Sequence, residues 1–407
     1  MATGIFNTGA FTQDHAARSF AGMITRLMPN GAAPLFAMTA QLESETAVAV
    51  EHGFFTKTML FPEMKLNGAI ADGVVNVFTV DTTANILPGM IMRVAASGEN
   101  VIINQVLSST QVQVNRGVGT VAAIAIADDV MLYQVGSAYE EASTRPGAQQ
   151  VQPVRITNLT QIFRNTWTIS DTVRATQVIA GESNIAESRQ DCAGFHAADI
   201  EKALFFGQKS QGTRNGQPFR TMDGFLSIVG NAAYYPPSYA GVPNVTTLAA
   251  TTNYTQLEAA LDPVFNQTTD PKIANERVLF VGGTAKRVLN NIGRLNGTYQ
   301  LVNGNTSYGL QFSTFQTARG TFRMVEHPLF NTNADWSKMG VAVDLTSFKV
   351  AYLGDRKTKN EEFGVSGEVA DNGQDAVGGT LTTEMTCVIK NPPANAILTN
   401  FTAAAVG

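Results

Sequence analysis

The segment Asn184-Ile-Ala-Glu-Ser-Arg-Gln-Asp-Cys-Ala-Gly-Phe-His-Ala-Ala-Asp-Ile-Glu-Lys-Ala-Leu-Phe-Phe206 constrains the fold of this chain more than any other. It holds no proline, and Asn184 with Glu187 three residues on has the spacing of a capping box. Ile185, Cys192, His196 and Ile200 recur at intervals of seven, four and four, and Ala203 and Leu204 extend the stripe. Glu187, Arg189, Gln190, Asp191, Asp199 and Glu201 fall mostly off it. Gly207 stands where a left-handed residue closes a helix. At about 1.5 Å per residue such a rod is roughly 34 Å long, enough to cross a domain. One long helix in a chain otherwise rich in strand patterns is an architectural signal, not a catalytic one.

A length of 407 residues exceeds one ordinary core, so several domains are expected. Charged residues make up 15%, against a usual share of about 25%. Less of the surface is then suited to bulk water, which is compatible with large contacts to other chains or with a weakly charged monomer. The net charge of −5 argues against a basic nucleic-acid-binding surface. Cys192 and Cys387 form no CxxC pair and read as buried free thiols in a reducing compartment. No basic region leads into an apolar core at the start, and no apolar run has the length of a membrane span. Synthesis in the cytosol is expected.

Residues 1–11 read as an arm, and Ala16, Phe20, Met23, Ile24 and Leu27 mark one face of a helix over Thr12–Met28. That helix either packs on its own domain or lies over a neighbour. Phe54–Lys65 and Val151–Ser170 look extended and flank a region of different character. Inside it, Val74–Val80, Met90–Val94, Val101–Val106 and Gln111–Val114 are short β-type runs separated by turn residues, the pattern of a small barrel or sandwich. After the long helix, Gly212–Arg220 and Tyr234–Pro243 read as loops. An α/β block follows. A helix is expected at Thr255–Asp262, a buried strand at Arg277–Val281 and a helix capped by Thr284. A hairpin is expected over Leu310–Gln316 and Thr321–Glu326, with strands at Val341–Val343 and Ser347–Leu353. Thr380–Ile389 alternates as a long strand, with Ala396–Phe401 as a candidate to pair with it.

No constellation carries chemistry. Gly117-Val-Gly-Thr-Val-Ala122 fits a dinucleotide spacing, but the residues after it alternate like a strand and do not continue as a core helix, so a turn is expected. Gly282-Gly-Thr-Ala-Lys286 lacks the phosphate-loop spacing, and Asp371–Asp375 lacks the distal Glu of a calcium loop. The histidines at 15, 52, 196 and 327 form no zinc pair, and His196 reads as a hydrogen-bonded core residue. Asp355–Glu362 is a mixed charge run, either a solvated loop or a salt-sensitive subunit contact. No catalytic, cofactor-binding or metal-binding residue is expected, nor any cofactor, and the chain does not read as an enzyme.

Several stretches, in order, resemble the major capsid proteins of tailed bacteriophages with the Hong Kong 97-type fold, in the branch with a β insertion in the extended loop. Pro29-Asn-Gly-Ala-Ala-Pro-Leu-Phe36 is similar to that family's P-x-x-T-P-F arm, with Ala33 in place of Thr. Val114-Asn-Arg-Gly-Val-Gly-Thr120 and Val135-Gly-Ser-Ala-Tyr-Glu-Glu-Ala142 resemble segments of the insertion. Thr160–Thr166 with Ile169-Ser170 resembles the returning strand, Glu182–Gly207 the spine helix, and Gly379–Glu384 the last long strand.

The resemblance implies an α+β subunit of five parts. These are an N-terminal arm (1–48), an extended loop (49–69 and 138–168), an inserted all-β barrel or sandwich (70–137), a peripheral domain (169–223 and 346–407) with the spine helix at 184–206, and an axial domain (224–345). It implies self-association into hexamers and pentamers of an icosahedral virion head assembled in the host cytoplasm. Packaged double-stranded DNA would lie inside without sequence-specific contacts, and portal and scaffolding or decoration proteins are implied partners. Arm and loop would reach neighbouring subunits through Phe20, Ile24, Pro29, Pro34, Phe36, Phe55, Phe61, Ile162, Phe163 and Trp167. The rival readings are a head decoration or tail adhesin protein and an encapsulin-like compartment shell.

Overall fold

The computed structural model describes residues 33–39, 42–57, 62–150, 152–176, 184–235, 242–266, 275–295, 303–307, 310–365 and 374–405. The helix expected at Thr12–Met28 and most of Asp371–Asp375 lie outside them. The fold is α+β with mixed sheets, and the chain divides into two compact units. One comprises residues 1–54, 156–234 and 243–407, the other residues 55–155 and 235–242.

The larger unit is organised around two sheets and the long helix. In the first sheet, Ala376–Ile389 pairs antiparallel with Gln161–Ser170, Phe348–Leu353 and Lys359–Phe363. Glu45–Ala47 adds a parallel edge to Phe348–Leu353. The second sheet has seven strands in the order Val245–Thr247, Ala396–Thr399, Gly340–Val343, Glu276–Val281, Thr321–Glu326, Leu310–Gln316, Asn303–Ser307. Strand alternation divides Glu276–Val281 between two cores. Val278 and Phe280 join a cluster with Leu204, Phe205, Phe348 and Met385, while Leu279 and Val281 join the helices Tyr254–Leu261 and Gly283–Leu295 through Leu257, Leu261, Val288 and Ile292. Asn253 and Gln256 close a capping box at the first of those helices.

The long helix runs over Asn184–Phe206, the expected span. Cys192, His196, Ile200 and Leu204 are buried, and Ile185 and Ala203 are half-buried. Two residues depart from the expected face: Phe205 enters the core, and Glu201, read as solvent-facing, is fully buried. Gly207 does not take a left-handed φ. Its role is close approach, because a Cβ there would stand 2.6 Å from both Ala203 O and Met222 O.

Four other expectations are corrected. Gly212–Arg220 is a hairpin, not a loop: Ser210–Arg214 pairs with Gln217–Thr221 across Asn215-Gly216, whose φ values of 52° and 75° make the turn that matches strand twist. Ala396–Thr399 pairs with Gly340–Val343 and Val245–Thr247 in the second sheet, and not with the long strand. Part of the Asp355–Glu362 charge run is the strand Lys359–Phe363. The Val151–Ser170 stretch divides at Thr160, so that Val154–Leu159 pairs with Glu51–Thr56 and Gln161–Ser170 joins the long strand.

The smaller unit holds a six-stranded sheet in the order Glu63–Lys65, Met131–Ser137, Met90–Val94, Asn100–Ser108, Gln111–Asn115, Val77–Thr79. Its two end strands meet at the antiparallel bridge Leu66↔Val80, where Asn67 N donates to Thr79 O and Asp81 N to Lys65 O. The path therefore returns on itself and leaves little edge exposed. Inside lie Met64, Phe78, Met92, Val101, Ile103, Val112 and Leu132. Gly117 and Gly119 take φ of 66° and 111° with no helix after them, so the glycine motif is a turn.

Candidate assembly sites

A shell-forming reading asks where the arm is held, where the ribbon presents apolar surface, and what fixes the loops. The helix Pro34–Thr39 is held at the long helix. Glu201 Oε1 accepts from Leu35 N at 2.8 Å, and its Oε2 accepts from Phe36 N at 2.7 Å. These are orphan donors at the start of the helix Pro34–Thr39, where a carboxylate is favoured. His327 stands 2.7 Å from Oε1 through Nε2, and its Nδ1 accepts from Leu329 N at 3.2 Å. That second bond places the ring proton on Nε2, facing the carboxylate. Phe330 stacks on the imidazole at 4.5 Å, and Phe205 meets it edge-on at 4.9 Å. Water is excluded, so each of these hydrogen bonds acts in a medium of low dielectric.

A second buried polar site lies one turn and more up the helix. His196 Nδ1 is 2.7 Å from Asn165 Oδ1, and its Nε2 is 2.7 Å from Thr383 Oγ1. Burial holds the imidazole below its ordinary value, against the pull of Asp199. Cys387 is buried and its thiol is pushed up to about 12, chiefly by desolvation, so it is an inert thiol. Arg189 lies over Trp167 at 5.5 Å and pairs with Glu362, which fixes Lys359–Phe363 to the helix.

Of the ten residues expected at subunit contacts, Phe20, Ile24, Pro29 and Phe61 lie outside the described residues. Pro34, Phe163 and Trp167 are buried within their own unit, and Phe36 is half-buried against the same core. These side chains are used internally and present little surface. Phe55 at 68% and Ile162 at 49% exposure stand open to solvent. Phe55 belongs to the two-stranded ribbon Glu51–Thr56 with Val154–Leu159, and such a ribbon is marginal unless something covers it.

In the smaller unit the buried Glu99 takes the Arg116 guanidinium in two bonds, Nε to Oε1 at 3.0 Å and Nη2 to Oε2 at 2.6 Å. The same guanidinium donates to Asp72 O and Ile124 O, each at 2.6 Å, and lies over Phe78 at 5.4 Å. Arg116 is therefore the tie between the loops at 72–76 and 117–125. The motif reading caught Arg116 as part of Val114-Asn-Arg-Gly but not Glu99, which stands 17 residues earlier with no local signal.

Comparison with known proteins identifies the family of the chain. Residues 3–402 match the family described as SU10 major capsid protein. The major capsid protein of Pseudomonas phage PaMx41 is 38% identical over 408 residues, covering 98% of this chain and 96% of that one. Among solved structures, the Gordonia phage Cozz chain aligns over 100% of this chain and 99% of its own at 10% identity with a TM-score of 0.47. A chain from the capsid of a native GTA particle aligns over 99% and 100%, also at 10% identity and a TM-score of 0.47. The family match and the phage relative, each spanning nearly the whole length, establish that the chain belongs to the SU10 major capsid protein family.

Proposed function

We propose that this major capsid protein is the repeating subunit of an icosahedral head of the Hong Kong 97 type, closing as hexamers and pentamers around packaged double-stranded DNA. Its place is the virion capsid. The observation that carries the proposal is the full-length match to a phage capsid family, which also supports a viral shell over a decoration protein or a cellular compartment. In this reading the six-stranded ring is the inserted β domain expected at 70–137, although its first strand, Glu63–Lys65, starts inside the 49–69 expected, with 138–168, for the extended loop. The arm is 1–48, 169–223 with 346–407 is the peripheral domain and 224–345 the axial one, except that Ala396–Thr399 pairs into the sheet of the axial part. Portal and scaffolding or decoration proteins are partners by the same reasoning.

Phe55 and Ile162 are the described residues best suited to contacts between copies. Burying two such side chains on a neighbour is worth about 1.5–3 kcal/mol each, and head-to-tail contacts of this kind close rings. Folding of the ribbon and assembly are then coupled. Negative-stain images and light scattering of purified protein test this. Capsomers or megadalton shells are expected, and their loss in Phe55→Ser/Ile162→Ser with an unchanged monomer fold. A wild type that stays monomeric under all assembly conditions overturns the reading.

A further inference from the structure

The net negative charge of the chain conceals a strong segregation. Between Glu276 and Glu326 there are six basic residues and no acidic one. Four of the six are engaged. Arg277 faces Asp344 at 3.9 Å, Lys286 pairs with Glu326 at 3.2 Å, Arg323 pairs with Glu276, and Arg319 donates to Asn266 Oδ1 at 2.7 Å. Arg287 and Arg294 are exposed, and among the described residues neither has a carboxylate within 4.0 Å. They share one face of the helix Gly283–Leu295 with Asn291, at i, i+4 and i+7, which spaces the two arginine Cα atoms about 10 Å apart along the axis. All three line an open cleft of about 700 Å³ whose far wall is Thr402 and Ala404. Arg294 alone would be explained by the helix dipole, since it sits in the last turn. Arg287, two turns earlier, has no such explanation.

We propose that this face is a contact site for the phosphate backbone of nucleic acid. Planar guanidiniums flanking an amide donor are the donor set that phosphate oxygens take without regard to sequence. An acidic peptide fits less well. The cleft has no aromatic side chain, Val288 and Leu295 being its larger aliphatic ones, and the nearby strand Ala403–Ala404 already pairs with Thr251–Thr252. The proposal rests on the reading of a shell that encloses DNA, and it assigns the residues that meet it.

The test uses the full chain before assembly and a fluorescent duplex of about twenty base pairs, with binding followed by anisotropy across salt concentrations. Loss of two phosphate contacts in Arg287→Gln/Arg294→Gln lowers the salt slope by about 1.8, so that a fourfold rise in salt costs the wild type about twelvefold more affinity than the variant. Arg287→Lys/Arg294→Lys, which keeps the charge, retains most of the slope. Polyaspartate of equal charge competes poorly. An unchanged slope in the glutamine variant overturns the proposal, as does polyaspartate competing as well as duplex, which would make an acidic protein segment the occupant. Electron microscopy of the same variants separates the two readings: shells that form while the slope is unchanged remove this site only, and shells absent from wild type remove the capsid reading.

Discussion

Two buried glutamates hold the two units of this protein together internally, and they do so by opposite means. Glu99, in the six-stranded ring, is paired with a cation 17 residues away, and the pair ties two loops of the same ring. Glu201 has no arginine or lysine partner among the described residues. It accepts two backbone N–H groups from 165 and 166 residues away and faces His327 from 126 residues away. The first arrangement closes a module on itself with local contacts. The second draws three distant segments of chain to one point on a helix. A module of the first kind tolerates insertion into a larger fold, whereas the second exists only when the whole of its unit has folded.

The largest effect expected is in the ring. Arg116→Ala leaves a fully buried carboxylate with Gly117 N as its one remaining hydrogen-bond donor among those described, and strips two loop carbonyls of their donor. A loss of about 3–5 kcal/mol is expected. Arg116→Lys recovers little, since an ammonium cannot span both carboxylate oxygens and two carbonyls at once. In calorimetry the loss falls on one transition and leaves the other in place. A uniform drop of both would show that the two units do not unfold separately and would break the comparison.

Glu201→Ala comes next, at about 3 kcal/mol, since it leaves two backbone donors and one imidazole donor unpaired in an apolar setting. Its effect falls on the transition Arg116→Ala spares. Protease cleavage near residues 33–39 sharpens the point, because the variant frees that segment from the long helix. A variant as resistant as wild type would mean that the aromatic packing, and not the carboxylate, holds that segment.

Much of this was legible in the sequence, and the failures have physical causes. The long helix was readable because a run of 23 residues averages its periodic signal over many turns. The strands at 90–94, 100–108 and 111–115 were readable because turn residues separate them cleanly. Glu201 was not, since a buried carboxylate looks like a solvated one until its partners arrive from 35, 36 and 327. The partner of Ala396–Thr399 is not readable from sequence, because strand pairing is a long-range choice that alternation does not encode. The hairpin at 210–221 carries its own signal in Asn215-Gly216, the pair favoured for a tight turn, within a stretch whose composition otherwise reads as loop. Net charge could not show local segregation: a sum over the chain does not display Arg287 and Arg294 sharing one face of a helix.

The smallest effect expected is a pH dependence, and it separates the units again because residues 55–155 contain no histidine. His196 in the larger unit is satisfied as a neutral ring, with one nitrogen at Asn165 Oδ1 and the other at Thr383 Oγ1. Burial depresses its folded-state value below the ordinary 6.5, with Asp199 opposing. A depressed value means that the unfolded chain binds the proton first. The stabilising contribution of neutral His196 is therefore complete above the unfolded value and is lost as pH falls through 6.5 and below it. The midpoint of the larger unit should fall between about pH 7 and pH 5, while that of the ring should not fall, since burial raises the Glu63 carboxyl and any change there favours the folded ring as pH drops. His196→Gln keeps a donor and an acceptor without a titrating proton, so it should flatten part of that fall. A wild-type midpoint independent of pH in this interval, or a Gln variant as acid-sensitive as wild type, would place the sensitivity elsewhere and return His196 to ordinary core packing.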